Sequence, residues 1–234
     1  MPAQPSHNAH RPPPAGACEP APEAAGLRAD ARHNRERILE AARETFAHQG
    51  IDAPLSAVAR RAGVGVATLY RRFPTRAALV TAAFTDQLAL CAGALDDALR
   101  DPDPWHGLCL LLEKVCTMQA ADRGFAGAFL AQFPHALDYE REHTRAHIGL
   151  SRLVQRAKDT GQLRSDFDLS DIALLLLANG SFAGQPQESA VAASRRLVAY
   201  FLQSMRPGDH AEPLPPPAPL GLHQIHPARS QTPR

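Results

Sequence analysis

Apolar residues recur every three to four positions through the middle of the chain, which is the spacing of one face of an α-helix. No stretch alternates β-branched and polar residues over several positions, as a half-buried strand would. Asp and Asn caps, first-turn prolines and terminal glycines mark where the helices begin and end. Nine helices are predicted, over about 34–49, 54–61, 66–73, 75–100, 104–121, 123–133, 137–160, a segment that begins after 168, and 186–205. The pattern therefore predicts an all-α protein.

Proline separates the two ends from this helical middle. Of the 21 prolines, seven fall in residues 1–24 and eight in residues 207–234. These ends lack apolar periodicity and cannot bury enough surface to offset the entropy of the chain. We expect disordered tails at 1–30 and 207–234. The alternative is that one of them is a proline-rich recognition segment.

Length and charge exclude several classes of protein. The 234 residues carry a net charge of +1, which excludes a uniformly basic nucleic-acid coat but not a local basic patch. The longest apolar run, Ile172–Ala178, is far shorter than the ~20 residues of a membrane helix, so no membrane partner is expected. The N-terminus has no apolar core of a signal peptide. The four cysteines form neither a metal-knuckle spacing nor a disulfide framework, and a cytoplasmic location is predicted.

Residues 51–76, IDAPLSAVARRAGVGVATLYRRFPTR, have the features of a helix-turn-helix. Ala59 is small enough for two helices to cross closely. Gly63 permits the positive φ of a tight turn. The inner corner can be filled by Val58, Val64 and Leu69. The outward face of the second helix could then enter a DNA major groove.

The charge of this region agrees with that interpretation. Residues 32–84 contain nine arginines and four acidic residues, a net charge of +5, whereas the whole chain is only +1. Arginine clusters are usually solvated faces. Here the cluster coincides with a helix-turn-helix, so a phosphate-binding module is the favoured interpretation.

The sequence from residue 38 to residue 84 resembles the DNA-binding domain of TetR-family transcriptional regulators. The matching positions, in the family's order and spacing, are Phe46, Gly50, Val58, Ala59, Ala62, Gly63, Val64, Thr68, Leu69, Tyr70, Phe73 and Arg76. The resemblance implies a three-helix helix-turn-helix DNA-binding domain at 31–78. It also implies a six-helix ligand-binding and dimerisation domain at 79–206.

A few positions depart from the family pattern. Ala53-Pro54 replaces the hydroxyl residue that often caps the second helix. Gly65 stands where a serine is common, which removes a cap and one possible phosphate contact. Ala67 replaces a frequent glycine and is small enough to lie against a base.

Side-chain chemistry and the resemblance together select the DNA contacts. Thr68 and Tyr70 can donate hydroxyls to phosphate, and Arg76 lies at a helix N-terminus, where phosphate is favoured. Arg71 or Arg72 could pair with guanine, and small apolar side chains could touch a thymine methyl. The alternatives are that Tyr70 is a packing residue and Arg72 a plain surface charge. The predicted DNA-binding residues are Ser56, Val66, Ala67, Thr68, Tyr70, Arg71, Arg72 and Arg76.

The last two predicted helices are apolar over most of their circumference and therefore need partners on two sides. One side would be the subunit's own core, and the other a second copy, which gives the four-helix dimer interface that the resemblance implies. The alternative is a wholly intramolecular core. The predicted interface residues are Ile172, Leu175, Leu176, Val198, Phe201 and Leu202.

Aromatic and cysteine residues cluster at helical spacing in the middle helices. The resemblance implies a small, largely apolar effector held among the fourth to eighth helices, and no cofactor. An ordinary core is the alternative for each residue of the cluster. The predicted pocket residues are Trp105, Cys109, Leu112, Phe125, Phe129 and Phe133.

Other chemistry has little support in the sequence. Glu140, His143 and His147 have a helical spacing that could hold a metal, but the surrounding EREHTRAH favours a solvated face, and no metal site is predicted. No phosphate loop, GxSxG or Ser/His/Asp set is found, so an enzyme is not expected.

The sequence therefore predicts a ligand-responsive, homodimeric regulator that binds double-stranded DNA at a pseudo-palindromic operator. A repressor released by a small effector is favoured, and an activator remains open. The alternative from another class is a helical small-molecule-binding or scaffold protein whose DNA-binding region is vestigial. The charge of +5 in residues 32–84 favours the regulator.

Overall fold

The computed structural model describes residues 22–130, 137–208 and 212–220, with side chains from residue 30 to 130, from 144 to 208 and from 212 to 220. Every regular element in those ranges is helical, so the predicted all-α class is confirmed. A 3₁₀ turn, Ser181–Gly184, lies between the last two α-helices. The helices are α1 Pro22–Gln49, α2 Leu55–Arg61, α3 Val66–Arg72, α4 Arg76–Ala83, α5 Thr85–Arg100, α6 Pro104–Ala121, α7 Arg123–Leu130, α8 Leu137–Asp159, α9 Leu169–Gly180 and α10 Gln187–Ser204.

Most of the predicted helix signals act as expected. Asp103 caps α6, with Pro104 in its first turn. Asp168 and Asp171 form the predicted capping box at the start of α9. Gly50 and Gly161 follow α1 and α8 with positive φ, as helix-ending glycines do.

The first helix begins earlier than predicted. Asn34 was expected to cap it, but α1 starts at Pro22. Residues 23–32 are mostly Ala, Glu, Leu and Arg, which are strong helix formers, and proline is tolerated in a first turn. Helical propensity therefore carries α1 into the segment that the proline count assigned to a tail.

The predicted fourth helix is two helices. Phe84 leaves helical geometry between α4 and α5, and the two helices meet at 62°. Its ring is fully buried, with ring centroids 6.4 Å from Phe46 and 6.3 Å from Phe125. The ring is buried where the helix bends, and the sequence has no glycine or proline at this point that would predict the bend. No single helix in the described ranges is long and apolar enough to cross a membrane; α4 and α5 meet the length and composition test only as a bent pair.

The chain divides at residue 35 into two compact units. The described part of the first unit, residues 22–35, is the opening of α1. The second unit, residues 36–234, contains all the other described elements. Within it, we call residues 36–84 the head and residues 85–208 the body.

The head and the body each have an apolar core. The head core is built around the buried side chains of Ile38, Phe46, Val58, Leu69, Leu79, Val80 and Phe84. The body core includes Leu108, Leu153, Ile172, Leu175 and Val198. Two body residues, Phe125 and Ala128 of α7, belong to the head core, and Phe129 packs against both cores. Helix α7 therefore joins the two cores.

Part of the predicted C-terminal tail is held by hydrogen bonds. Arg164 and Asp166, in the loop before α9, form a two-bond ion pair of 2.5 and 2.8 Å. Arg164 also donates to the carbonyl of Glu212 at 2.8 Å, and Asp166 accepts from Leu214 N at 2.9 Å. Hydrogen bonds from Arg164 and Leu214 hold the pKa of Asp166 well below its usual range. Residues 212–220 thus run along this loop.

Candidate functional site

Helices α2 and α3 form the helix-turn-helix that the sequence predicts. Gly63 has φ of +64°, and a Cβ there would also lie 2.9 Å from Arg37 Nη2. Val64 N donates to Ala59 O at 3.0 Å, which closes the turn. Val58 and Leu69 are fully buried in the corner between the helices, as expected. The turn therefore holds α3 by packing and leaves its other face outward.

The outward face of α3 carries most of the predicted DNA contacts. Val66 is 42% exposed and Tyr70 is 47% exposed. Thr68 is half-buried. The remaining predicted contacts of the turn region are exposed, and they are Ser56 of α2 and Ala67, Arg71 and Arg72 of α3. These side chains are accessible to a groove, except that Thr68 offers only part of its surface.

Several arginines of the head are already bonded to backbone carbonyls. Arg37 donates to Ala62 O at 2.5 Å, at the end of α2, and Arg43 donates to Ala83 O at 2.8 Å, at the end of α4. Arg61 pairs with Glu44. Each bond ties α1 to a neighbouring helix, so these guanidinium groups stabilise the head. No local sequence pattern separates these arginines from the exposed ones.

Arg76 is bonded in the same way, although the sequence predicted a phosphate contact. Its Nη1 donates to Ile51 O at 2.6 Å and to Ala53 O at 2.7 Å, and the side chain is half-buried. The start of α4 is capped instead by Thr75, whose Oγ1 accepts from Ala78 N at 3.0 Å. Arg76 thus fastens the loop between α1 and α2 to the start of α4.

Three exposed arginines of the helix-turn-helix remain without such bonds. Arg60, Arg71 and Arg72 make no hydrogen bond or ion pair with other described residues. All three lie on α2 and α3. They are the cations of this motif that are available to phosphate or base.

Helix α7 rests directly on the head. A Cβ on Gly124 would lie 2.8 Å from the Phe84 ring and 3.1 Å from Ala47 N, and one on Gly127 would lie 3.2 Å from Ile51. The rings of Phe125 and Phe129 have centroids 5.7 Å apart and extend the row that begins at Phe46 and Phe84. The glycines therefore permit a close approach between a body helix and the end of α1.

The five described residues of the predicted pocket pack in or against the apolar cores. Trp105, Leu112 and Phe125 are buried in the cores, Cys109 and Phe129 are half-buried, and Phe133 lies outside the described residues. A groove of about 930 Å³ opens elsewhere, on α5, α6 and α10. Its walls include Leu90, Leu110, Leu111, Met118 and Val198 and none of the six predicted residues.

The predicted dimer residues lie mostly inside this chain's own core. Ile172, Leu175, Leu176 and Val198 are buried there, and Phe201 and Leu202 pack against it half-buried. Buried side chains present no surface to a second copy. The apolar side chains that α9 and α10 do expose are Leu174, at 43%, and Tyr200, at 56%. The helical stripe was recognised from the sequence, and its part in dimerisation stays a prediction.

Burial makes the described cysteines poor thiolates. It raises the pKa of Cys91 and of Cys109 to about 11 and that of Cys116 to about 12. Since a thiolate is the reactive form, these groups are unsuited to sensing oxidants near neutral pH.

No cluster of metal-ligating side chains is found among the described residues. His147 is exposed, whereas the side chains of Glu140 and His143 lie outside the described ones.

Comparison with known proteins identifies the family. The family model described as bacterial regulatory proteins, tetR family, matches residues 38–83. A TetR transcriptional regulator from Streptomyces coelicolor is 31% identical, with 74% of this chain and 98% of that chain covered and a TM-score of 0.48. A TetR transcription regulatory protein from Mycobacterium vanbaalenii is 32% identical, with 77% and 99% covered and a TM-score of 0.42.

A more distant structure has a similar fold. SmeT, the repressor of the Stenotrophomonas maltophilia multidrug efflux pump SmeDEF, is 20% identical, with 77% of this chain and 97% of that chain covered and a TM-score of 0.52. No curated protein matches the chain in sequence.

Proposed function

Because the chain belongs to the TetR family of DNA-binding transcriptional regulators, we propose that it is a homodimeric repressor that leaves its operator when a small effector binds the body. The observation that carries this proposal is the outward face of α3. It combines exposed Val66 and Tyr70 with arginines that make no bond inside the described protein. A helix face that packs inside the protein would be apolar. In a DNA-binding region that had lost its function, nothing would favour arginines without bonds to the rest of the protein.

The contacts with DNA follow from what each side chain offers. Arg71 or Arg72 pairs with guanine, and the other cation, with Arg60, neutralises phosphate. Val66 and Ala67 lie against a thymine methyl. Hydroxyls for phosphate come from Ser56, Thr68 and Tyr70. Arg76 Nη1 is bonded to carbonyls of the α1–α2 loop, so Arg76 reaches phosphate only with its other guanidinium nitrogens.

Dimerisation uses the exposed side of the last two helices. Leu174 and Tyr200 are the large apolar side chains that α9 and α10 expose, and Arg196 lies beside the Tyr200 ring, with 5.0 Å from its Cζ to the centroid. A two-fold axis through this face would pair each patch with its copy. Two α3 helices would then read two half-sites of a pseudo-palindrome.

Effector binding reaches the head through α7. The helix contacts the end of α1 through Gly124 and shares Phe125 with the head core. An effector that prefers a shifted α7 would favour a state in which the two α3 helices are badly spaced for the operator.

Fluorescence anisotropy with the DNA immediately upstream of the gene, against scrambled DNA and across a range of salt, tests the proposal. We expect a preference of about a thousandfold or more, with two subunits bound per site. Selection from random DNA covers an operator that lies elsewhere. If that selection enriches no sequence, the protein is not a sequence-specific regulator.

A further inference from the structure

Two amide side chains are fully buried between α6 and α9, and nothing in the DNA-binding head uses them. Gln119 and Asn179 are each 0% exposed. Asn179 Nδ2 donates to the carbonyl of Cys116 at 2.8 Å and to Gln119 Oε1 at 3.1 Å. The only sign of this pair in the sequence is weak: Asn179 lies on an otherwise apolar face of its predicted helix.

The carbonyl of Cys116 fixes the orientation of both amides. A carbonyl oxygen can only accept, so the nitrogen of Asn179 must face it, and the oxygen of Gln119 must then face that nitrogen. Gln119 Nε2 is left without an acceptor, and Asn179 Oδ1 is left without a donor. The pair therefore offers one unused donor and one unused acceptor within the body.

Such orphaned groups are costly. A buried donor or acceptor without a partner destabilises a protein, whereas apolar side chains of the same shape would carry no such penalty. A bound molecule that supplies both partners would recover this free energy. Buried polar groups that wait for a ligand are also what lets a site discriminate strongly between similar molecules.

The surroundings indicate which chemistry fits. Cys116, Leu175 and Leu176, which flank the pair along α6 and α9, belong to the apolar body core. No charged side chain among the described residues bonds to either amide, so an ionised ligand would enter this core without a counter-ion. The matching group is neutral and both accepts and donates, as a hydroxyl or a carboxamide does.

The pair also lies close to the helix that touches the head. Gly180, the residue after Asn179, is near enough to α7 that a Cβ there would lie 3.0 Å from Leu130 Cδ1. A molecule bound at the amides would thus press on the end of the helix whose start contacts α1.

We propose that Gln119 and Asn179 form the polar recognition point of the effector site. The effector is then a small apolar molecule that carries one hydroxyl or carboxamide. The inference rests on the proposed function only in taking this molecule to be the effector. Binding of such a molecule to the two amides does not depend on DNA.

Matched alcohols and ethers test the inference. Thermal unfolding and calorimetry would compare the 1-alkanols of six to twelve carbons with their methyl ethers, which lack the donor. For at least one chain length, the wild-type protein should bind the alcohol at least about tenfold more tightly than the ether. The variant Gln119→Met/Asn179→Leu should lose that preference and bind both alike.

Two further variants keep this test decisive. Ser194→Ala removes another fully buried polar atom that has no partner, on α10, and should leave the alcohol preference intact. Gln119→Met alone keeps the bond from Asn179 to Cys116 and serves if the double variant does not fold. Because Asn179 Oδ1 remains in that variant to accept from the alcohol, the variant should keep the preference but bind alcohol and ether less tightly than the wild type. An equal response of the wild type to alcohols and ethers, no response to either, or an affinity for both that Gln119→Met leaves unchanged would overturn the inference.

The outcome is separate from that of the operator experiment, since no DNA is present. A protein that prefers alcohols through the amides but selects no DNA sequence would refute the proposed repressor and keep the ligand site.

Discussion

At the scale of single residues, arginine has two different uses in the head. Arg37, Arg43 and Arg76 bond to carbonyls at helix ends or in a loop, whereas Arg71 and Arg72 extend outward without a partner among the described residues. The net charge of the segment predicts a basic module, but it cannot separate these uses. Which guanidinium groups reach a carbonyl depends on how the helices cross.

The two uses predict different outcomes for two arginine variants. Arg72→Ala should change the free energy of unfolding by no more than about 0.5 kcal/mol, because its side chain is exposed and unbonded. The same change should lower the salt dependence of DNA binding by about one counterion per subunit where Arg72 neutralises phosphate, and should relax the preference at one base pair where it pairs with guanine. Urea unfolding and salt-dependent anisotropy measure the two effects.

Arg76→Ala should instead lower the free energy of unfolding by about 1–3 kcal/mol, because it removes a charged donor from two carbonyls. Urea unfolding of this variant and of Arg72→Ala, side by side, provides the comparison. If Arg76→Ala unfolds like the wild type and only DNA binding weakens, the bonds from Arg76 to the loop do not stabilise the protein. The phosphate contact predicted from the sequence would then account for the role of Arg76.

At the scale of elements, α7 is the most informative helix. Its eight residues place small side chains against the head and aromatic ones in a row that runs from Phe46 to Phe129. The sequence predicts a helix here, over residues 123–133. In the structure the small residues of α7 permit a close approach to α1, where Gly124 meets Ala47 from 77 positions away in the chain, and no local pattern encodes that contact.

Gly124→Ala tests this close approach. The new methyl group would lie 2.8 Å from Phe84 and 3.1 Å from backbone atoms of α1, so we expect a loss of about 1–3 kcal/mol in the free energy of unfolding. Gly93→Ala is the matched control, because a Cβ there meets nothing within 4 Å inside helix α5. The control should gain up to about 1 kcal/mol from helical propensity. Equal behaviour of the two variants in urea would contradict the contact.

At the scale of the whole molecule, helix order and fold class follow from the sequence. Which side of each helix faces the core, a partner or a ligand does not. Periodicity identified the apolar stripes of α9 and α10, but a stripe that covers most of a helix does not say which side faces its own core. Burial assigns Ile172 and Val198 inward and leaves Leu174 and Tyr200 outward. The predicted pocket residues meet a related difficulty, because aromatic side chains at helical spacing fill a core as readily as they line a cavity.

Leu174→Arg should convert the dimer into a folded monomer. A guanidinium at the centre of the proposed interface would be desolvated against its own symmetry copy, whereas in the free subunit it would remain in water. Ile148→Arg, at a more exposed apolar position on α8, should leave the dimer intact. Sedimentation equilibrium distinguishes the two. A dimer that survives Leu174→Arg would move the interface to another face.

The sharing of Phe125 between a body helix and the head core has a consequence for how the protein melts. Two regions with separate cores can unfold in separate steps. When a ring from one region is part of the core of the other, the two regions unfold together. Heating the body therefore releases part of the head core at the same moment, and the chain from residue 36 to residue 208 should lose its structure in one cooperative step. A fluorophore attached to the head would then report a compound bound in the body as a higher midpoint temperature, with no DNA in the cuvette.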